Sequence, residues 1–171
     1  SAAQRWAQGL GMLSEDRKLE GLAPTLSIAD NMTLSKLVGL GPAGLVFPSR
    51  QQAVTQRWIA ALHVKCRDSQ QRIGDLSGGN QQKVALARLL YHDVDVLLLD
   101  EPTRGIDVGS KAEIYRLIDD LASRGKAVLM VSSYLPELLG TCDRIAVMCR
   151  GRLLPARRVE DVDSHAIMQE A

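Results

Sequence analysis

Two short stretches carry residue types that could act on a phosphate. LSGGN, residues 76–80, opens what reads as an amphipathic helix, so that Ser77, Gly78, Gly79 and Asn80 would expose backbone N–H groups at a helix mouth. There the helix dipole favours an anion, and the missing Cβ atoms let a phosphate come close. The second stretch, VLLLDEPT at 96–103, ends an apolar run on Asp100 and Glu101. A carboxylate closing a buried strand is placed to hold Mg²⁺ directly or through water, and a neighbouring glutamate can orient or deprotonate an attacking water. Each stretch alone also has a plainer reading, the glycine pair as a tight turn and the two acids as caps of the loop before Pro102.

The surrounding pattern says how such loops would be held. AQRWAQGLGML reads as the end of a helix followed by a short strand, and EDRKLEGLAPTL as a loop. SIADNMTLSKL has helical spacing of Ile28, Met32 and Leu37 with Ser27 as cap, and VGLGPAGLVFPSR breaks the pattern with three glycines and two prolines. Residues 49–64 place Val54, Trp58, Ile59 and Leu62 on one helical face, so residues 27–91 read as helical throughout. From Asp95 the texture changes to strand-like runs, VLLLD, AVLMVSS and RIAVMC, separated by helical stretches. That spacing predicts β-α-β units, a parallel sheet and an α/β fold. Between the first two runs, Ser110 and Glu113 make a capping box, Ile114, Leu117, Ile118 and Leu121 form one stripe, and Gly125 stands at the C-terminus. Ligands of open parallel sheets bind beyond the carboxyl ends of strands, so Asp100, Glu101 and Ser133 are expected to converge on one crevice.

Composition limits the chemistry further. With 171 residues, 46% of them hydrophobic, the chain can bury one substantial core, and it reads as one domain with a subdomain. Its formal net charge of +1 gives no global field toward nucleic acid or an anionic membrane. Cys66, Cys142 and Cys149 are odd in number and form no C-x-x-C pair, which speaks against a disulfide framework or a cysteine metal site. No apolar run reaches the ~20 residues of a membrane span, and no signal peptide is visible. The start at Ser1, without methionine and directly in a helix end, reads as an excerpt of a longer protein.

Taken in order, LSGG at 76–79, VLLLDEPT at 96–103, GID at 105–107 and VSS at 131–133 resemble the nucleotide-binding subunit of ATP-binding cassette (ABC) transporters, from about residue 9 to 153. LSGGNQQKV, EDRK at 15–18, DEPTRGIDVGSK at 100–111 and SSYLPELLG at 132–140 resemble, within that family, the second cassette of fused two-cassette bacterial carbohydrate importers. The resemblance implies a partial P-loop-type cassette: a helical subdomain at 27–91, a sheet core at 92–154 and a C-terminal tail at 155–171 with a short surface helix from Ser164. It implies ATP and Mg²⁺ as cofactors and transport-coupled ATP hydrolysis. In this family two cassettes pair head to tail, each ATP lying between one cassette's phosphate loop and the other's signature. Ser77, Gly78, Gly79 and Asn80 would then serve a partner's ATP, while Asp100 would be the magnesium residue, Glu101 the catalytic carboxylate and Asp107 the link between sites. Gln81 and Gln82 are expected at the solvated start of the signature helix.

The implied partners are a second cassette, in the same polypeptide or a homodimer, transmembrane permease subunits and, indirectly, a periplasmic sugar-binding protein, at the cytoplasmic face of the bacterial inner membrane. Three departures stand beside this. No G-x-x-x-x-G-K-[ST] occurs, so the chain alone is expected to bind ATP weakly. Glu15 stands where the family has the glutamine that senses Mg²⁺ and contacts the membrane subunit. Ser133 stands in the place of the switch histidine, and His63, His92 and His165 lie outside the strand-end loops. A serine can hydrogen-bond a phosphate but cannot supply charge as imidazole does, which points to a weakened site on this side. Two alternatives stay open: an ABC ATPase of translation or DNA repair, against which the neutral charge balance argues, and a module that clamps a partner's ATP without hydrolysing its own.

Overall fold

The computed structural model describes residues 1–170, with residues 18 and 44 described by their backbone alone. Ala171, the end of the expected tail, lies outside the described residues. The chain divides into two units, residues 1–131 and 132–171.

The first unit is built on three parallel strands, β1 (Leu10–Leu13), β2 (Val96–Asp100) and β3 (Ala127–Val131), in that order. The register sets Leu13 beside Leu99 and Leu99 beside Met130. Because side chains alternate along a strand, Leu13, Leu97 and Leu99 fall on one face and are buried. Met12, Leu129 and Val131 fall on the other face and are 55%, 60% and 57% exposed. β1 follows a single helical segment, α1 (Ala2–Ala7).

Four further helices surround the buried face. α2 (Ile28–Thr33) starts at Ser27, whose hydroxyl accepts the Asp30 N–H while the Asp30 carboxylate accepts the Ser27 N–H, the predicted cap with an aspartate at its third position. Ile28 and Met32 are fully buried, but the helix ends at Thr33 and Leu37 lies exposed beyond it. α3 (Pro48–Ala61) begins on a proline. Of the predicted face Ile59 is buried, Trp58 and Leu62 pack partly buried against the core and Val54 is half-buried, while the residues most deeply buried beside Ile59 are polar, Gln51 and Thr55. The polar stripe is accommodated because the Gln51 amide donates to Asp30 and Thr33 of α2. Residues 62–77, predicted helical, hold only a short 3₁₀ turn at Ile73–Asp75, and their backbone instead bonds to α2, with Ile28 N–H donating to the Gln71 carbonyl.

α4 (Gly78–His92) is the central helix, packed on α2, α3, β1 and α5 (Val108–Ser123). Surrounded in this way, it buries not only Val84, Leu86 and Leu89 but also Gln81, Gln82 and Lys83. The expectation of a solvated helix start at Gln81 and Gln82 is therefore corrected. α5 connects β2 to β3 and buries Ile114, Ile118 and Leu121 as its stripe predicts, and Gly125 follows it with φ +85°. Its cap differs from the prediction: Asp107, not Ser110, is the N-cap, accepting the Ser110 N–H at 3.0 Å and the Ser110 hydroxyl at 2.7 Å. Glu113, expected to complete a box with Ser110, instead meets the buried Lys83 ammonium of α4 at 2.5 Å.

The second unit begins with α6 (Leu135–Thr141) and ends with α7 (Ser164–Glu170), the helix expected from Ser164. Between them β4 (Arg144–Ile145) pairs antiparallel with β7 (Arg157–Arg158), and β5 (Met148–Cys149) with β6 (Arg152–Leu153). RIAVMC is thus not a third strand of the parallel sheet. Arg150 and Gly151, with φ +48° and +77°, form a two-residue turn of the primed kind that folds the run back on itself. The third strand is β1. Ile145, Val147 and Ile167 form a small core of this unit's own. All three cysteines are free thiols. Among the described residues no helix is long and apolar enough to cross a membrane.

Candidate functional site

At the mouth of α4 the N-cap is Ser77, in extended conformation, yet its side chain makes no capping bond. Its exposed hydroxyl accepts the Asn80 side-chain amide at 2.8 Å, and the Asn80 carbonyl oxygen accepts the Lys65 N–H at 2.8 Å. Both ends of Asn80 are therefore used to brace the helix mouth against the loop before it. The first N–H of the helix to bond back is that of Gln81, to the Ser77 carbonyl. The amides of Gly78, Gly79 and Asn80 have no upstream helical carbonyl, and the residue that ordinarily caps such amides is turned to another partner.

The glycines have a packing reason as well. A Cβ on Gly79 would lie 2.3 Å from Ser110 Oγ and 2.6 Å from Ser110 Cβ, and 3.5 Å from an Asp107 carboxylate oxygen. One on Gly78 would lie 2.7 Å from Arg17 Nη2 and 3.3 Å from the Gly105 carbonyl. The start of α4 and the start of α5 thus lie side by side, which brings Ser77, Gly78, Gly79 and Asn80 together with Asp107. The N–H and hydroxyl of Ser110 hold the Asp107 carboxyl below the usual carboxylate range.

The acidic pair stands at the carboxyl end of β2. Asp100 closes the strand, half-buried, in register with Val131. Glu101 has φ +45°, left-handed for a residue with a side chain, while its N–H still reaches the Val131 carbonyl at 2.9 Å. Such a conformation costs on the order of 1–3 kcal/mol and persists where surrounding structure holds it, as functional loops do. Past β1, whose carboxyl end points the same way, Glu15 forms an ion pair with the Arg104 guanidinium. Ser133 belongs to the second unit, exposed between Ser132 and Tyr134, the residue before α6. There Ser132 is the organising hydroxyl, donating to the buried Glu137 at 2.7 Å and accepting the Tyr134 N–H at 3.1 Å.

For Mg²⁺ the donor set fits in part. Among the described residues no three His, Cys, Asp or Glu side chains cluster as a complete cation site. Mg²⁺ is commonly held by one or two carboxylates with phosphate oxygens and waters completing the shell, a role open to Asp100. Glu15 would have to leave Arg104 to share it. His92 does packing work, its ring lying 4.5 Å from that of Trp6 and its Nδ1 3.1 Å from the Ser35 carbonyl, while His63 and His165 are exposed.

Three residues that sequence reasoning did not assign to the site stand inside it. Arg17 Nη1 donates to the Arg104 carbonyl at 3.1 Å, and Arg17 Nε reaches the Gln81 side-chain carbonyl at 3.4 Å. Gln81 in turn donates to the carbonyls of Leu76 at 3.0 Å and Ile73 at 3.3 Å. The signal in the sequence was the charged run EDRK placed directly after a strand.

Residues 1–104 match the family model described as ABC transporter. A ribose import ATP-binding protein of Hahella chejuensis is 44% identical over 170 residues, 99% of this chain and 34% of that protein. An arabinose import ATP-binding protein of Burkholderia thailandensis is 51% identical over 146 residues, 85% of this chain and 28% of that protein. The chain spans about a third of the length of the curated relatives it matches. The fold is also that of the ATP-binding cassette MJ0796, solved as a dimer in a post-hydrolysis state bound to ADP and Pi, with a TM-score of 0.74, 21% identity, and coverage of 93% of this chain and 67% of that one. On the matched residues 1–104 and on identity across nearly its whole length, the chain belongs to the ABC transporter family.

Proposed function

We propose that this chain is part of an ATP-hydrolysing cassette that powers import of a sugar across the bacterial inner membrane, and that it presents the N-terminus of α4 to the γ-phosphate of an ATP held by a second cassette. The observation that carries the reading is the uncapped helix mouth, where the Ser77 hydroxyl is engaged by Asn80 and no side chain caps the first amides of α4, an arrangement that suits an anion. Relatives named as ribose and arabinose import ATP-binding proteins support the sugar, and the dimeric neighbour supports a paired cassette. Permease subunits, with a periplasmic binding protein beyond them, complete the proposed assembly at the cytoplasmic membrane face.

Within the chain the roles divide. The glycine amides would bind and orient the phosphate, Asp107 would hold the neighbouring helix start in place, and Glu101 would position or deprotonate water for this cassette's own nucleotide. Mg²⁺, when bound at Asp100, supplies charge neutralisation for the phosphate oxygens. Ser133 would lend a hydroxyl where an imidazole would lend charge, so the carboxylate side of this cassette is the weaker of its two contributions.

The test is a ranking in the assembled transporter. Ser77→Arg places a bulky cation at the helix mouth and should abolish most ATPase and uptake. Glu101→Gln should cost far less than the roughly 10³-fold that loss of a dominant electrostatic contributor commonly costs. Equal damage from the two variants would overturn the division of roles, and an unaffected Ser77→Arg protein would overturn the phosphate reading itself.

A further inference from the structure

Three segments meet at the helix mouth: the loop after β1, the loop after β2 and the start of α4. One residue touches all three. Arg17 opens a single π-helical turn, Arg17–Gly21, placed directly past β1. From there its Nη1 donates to the Arg104 carbonyl at 3.1 Å, and its Nε reaches the Gln81 side chain at 3.4 Å. Its Nη2 lies where a Gly78 Cβ would come within 2.7 Å. The same side chain forms one wall of a cleft of about 420 Å³, lined also by Leu22, Ile73, Leu76, Gln81 and Gly105. Two residues earlier, Glu15 grips the Arg104 side chain, so Arg104 is held by its guanidinium and by its carbonyl from one loop.

We infer that Arg17 is a positioning residue: through Gln81 and the Arg104 carbonyl it fixes the α4 mouth relative to the loop that runs from Glu101 to Asp107. The planar guanidinium suits this because its donors point in fixed, divergent directions, so one group spans two acceptors on separate elements. Gln81 is a suitable receiver. It is buried, its amide nitrogen is committed to the Ile73 and Leu76 carbonyls, and its oxygen is the part left facing Arg17. A movement of Arg17 is therefore passed to the first turn of α4 and not dissipated in a solvated side chain. Gly78 permits the approach, since any Cβ there would displace Nη2.

The effect on turnover rests on the proposed phosphate reading, whereas the structural effect does not, and the experiment separates them. In the full-length protein assembled with its transport partners, Arg17→Met keeps the stem and removes the fork. The expected result is a kcat lower by on the order of tenfold to a hundredfold with KM for ATP changed much less, because orientation is lost while nucleotide binding elsewhere is kept. In parallel, hydrogen exchange at the Gln81 and Arg104 amides, which bond to the Ser77 and Glu101 carbonyls, should accelerate on the order of tenfold. Arg17→Lys supplies the charge without the fork and should recover only a minor part of either readout. Unchanged exchange at both amides would overturn the inference, as would full activity in Arg17→Lys. Accelerated exchange combined with a harmless Ser77→Arg would leave Arg17 as the positioning residue and remove the phosphate reading.

Discussion

Gly79→Ala sets two opposed effects against each other at the helix mouth. Replacing a helical glycine by alanine gains up to ~1 kcal/mol of helix propensity. Against this, the new Cβ would sit 2.3 Å from Ser110 Oγ and 2.6 Å from Ser110 Cβ. The hydroxyl could rotate only by giving up its 2.7 Å bond to Asp107, and Ser110 Cβ cannot move without the backbone of α5. Overpacking costs about 1–3 kcal/mol, and a contact this far below van der Waals distance belongs in the upper part of that range, about 2–3 kcal/mol, so after the propensity gain the net effect should be a loss of about 1–2 kcal/mol. With a urea slope of about 2 kcal/mol/M, the midpoint should fall by roughly half to one molar. Trp6 and Trp58, both packed at the edge of the first unit's core, report the transition by fluorescence. Ser110→Gly removes the obstructing atoms, and in that background Gly79→Ala should turn stabilising, giving a coupling of at least ~1 kcal/mol. Gly78→Ala is the contrast. Its nearest obstacle is the far end of the Arg17 side chain, with the Gly105 carbonyl next at 3.3 Å, so the cost is set by the Arg17 bonds it displaces and the net loss should stay below about 1 kcal/mol. A Gly79→Ala chain as stable as the parent would refute the close packing of the α4 and α5 starts, and with it the placement of Asp107 beside the glycines.

Arg88 donates to the carbonyls of Asn31 and Gly21, each at 2.7 Å, from α4 to the segments around α2. Arg88→Ala leaves those carbonyls unpaired and should cost about 2–4 kcal/mol, measured by the same unfolding curves. The Lys83 ammonium holds the Glu113 carboxyl below its usual range, so the pair stabilises the fold above the unfolded carboxylate value of about 4.3 and is lost as pH falls through the depressed folded value. Glu113→Gln should therefore be less stable than the parent near neutrality, by no more than about 1 kcal/mol because Glu113 is half exposed, and the two should converge in acid. A difference that persisted unchanged to pH 2 would assign the effect to packing.

The sequence was most legible where one local rule governed. VLLLD and AVLMV became the parallel strands β2 and β3 that continuous apolar runs predict, although the face carrying Leu129 and Val131 is exposed, and the Ile114–Leu121 stripe was buried as its period demands. It was less legible where tertiary surroundings decided. Gln81, Gln82 and Lys83 look solvated by type, but α4 is enclosed by neighbours, and the polar ends of Gln81 and Lys83 find Ile73, Leu76 and Glu113. RIAVMC looks like a strand of the sheet, but the Arg150-Gly151 turn gave it a nearer antiparallel partner. At the site, residue types announced the glycines and the two carboxylates. Arg17 was not announced, since a charged residue in a loop ordinarily faces solvent, and only the three-dimensional meeting of its loop with Arg104 and Gln81 gives it work.

The central claim is that the uncapped amides at the mouth of α4 receive a phosphate. It is tested most directly by hydrogen exchange at Gly78, Gly79 and Asn80 in the full-length protein assembled with its transport partners, with and without Mg²⁺-ATP under conditions that slow turnover. Lacking a helical carbonyl of their own, these three amides should exchange rapidly without nucleotide and slow by on the order of tenfold or more with it, and Ser77→Arg should abolish the difference. Exchange at the three amides that stayed fast while the assembly demonstrably held ATP would contradict the account.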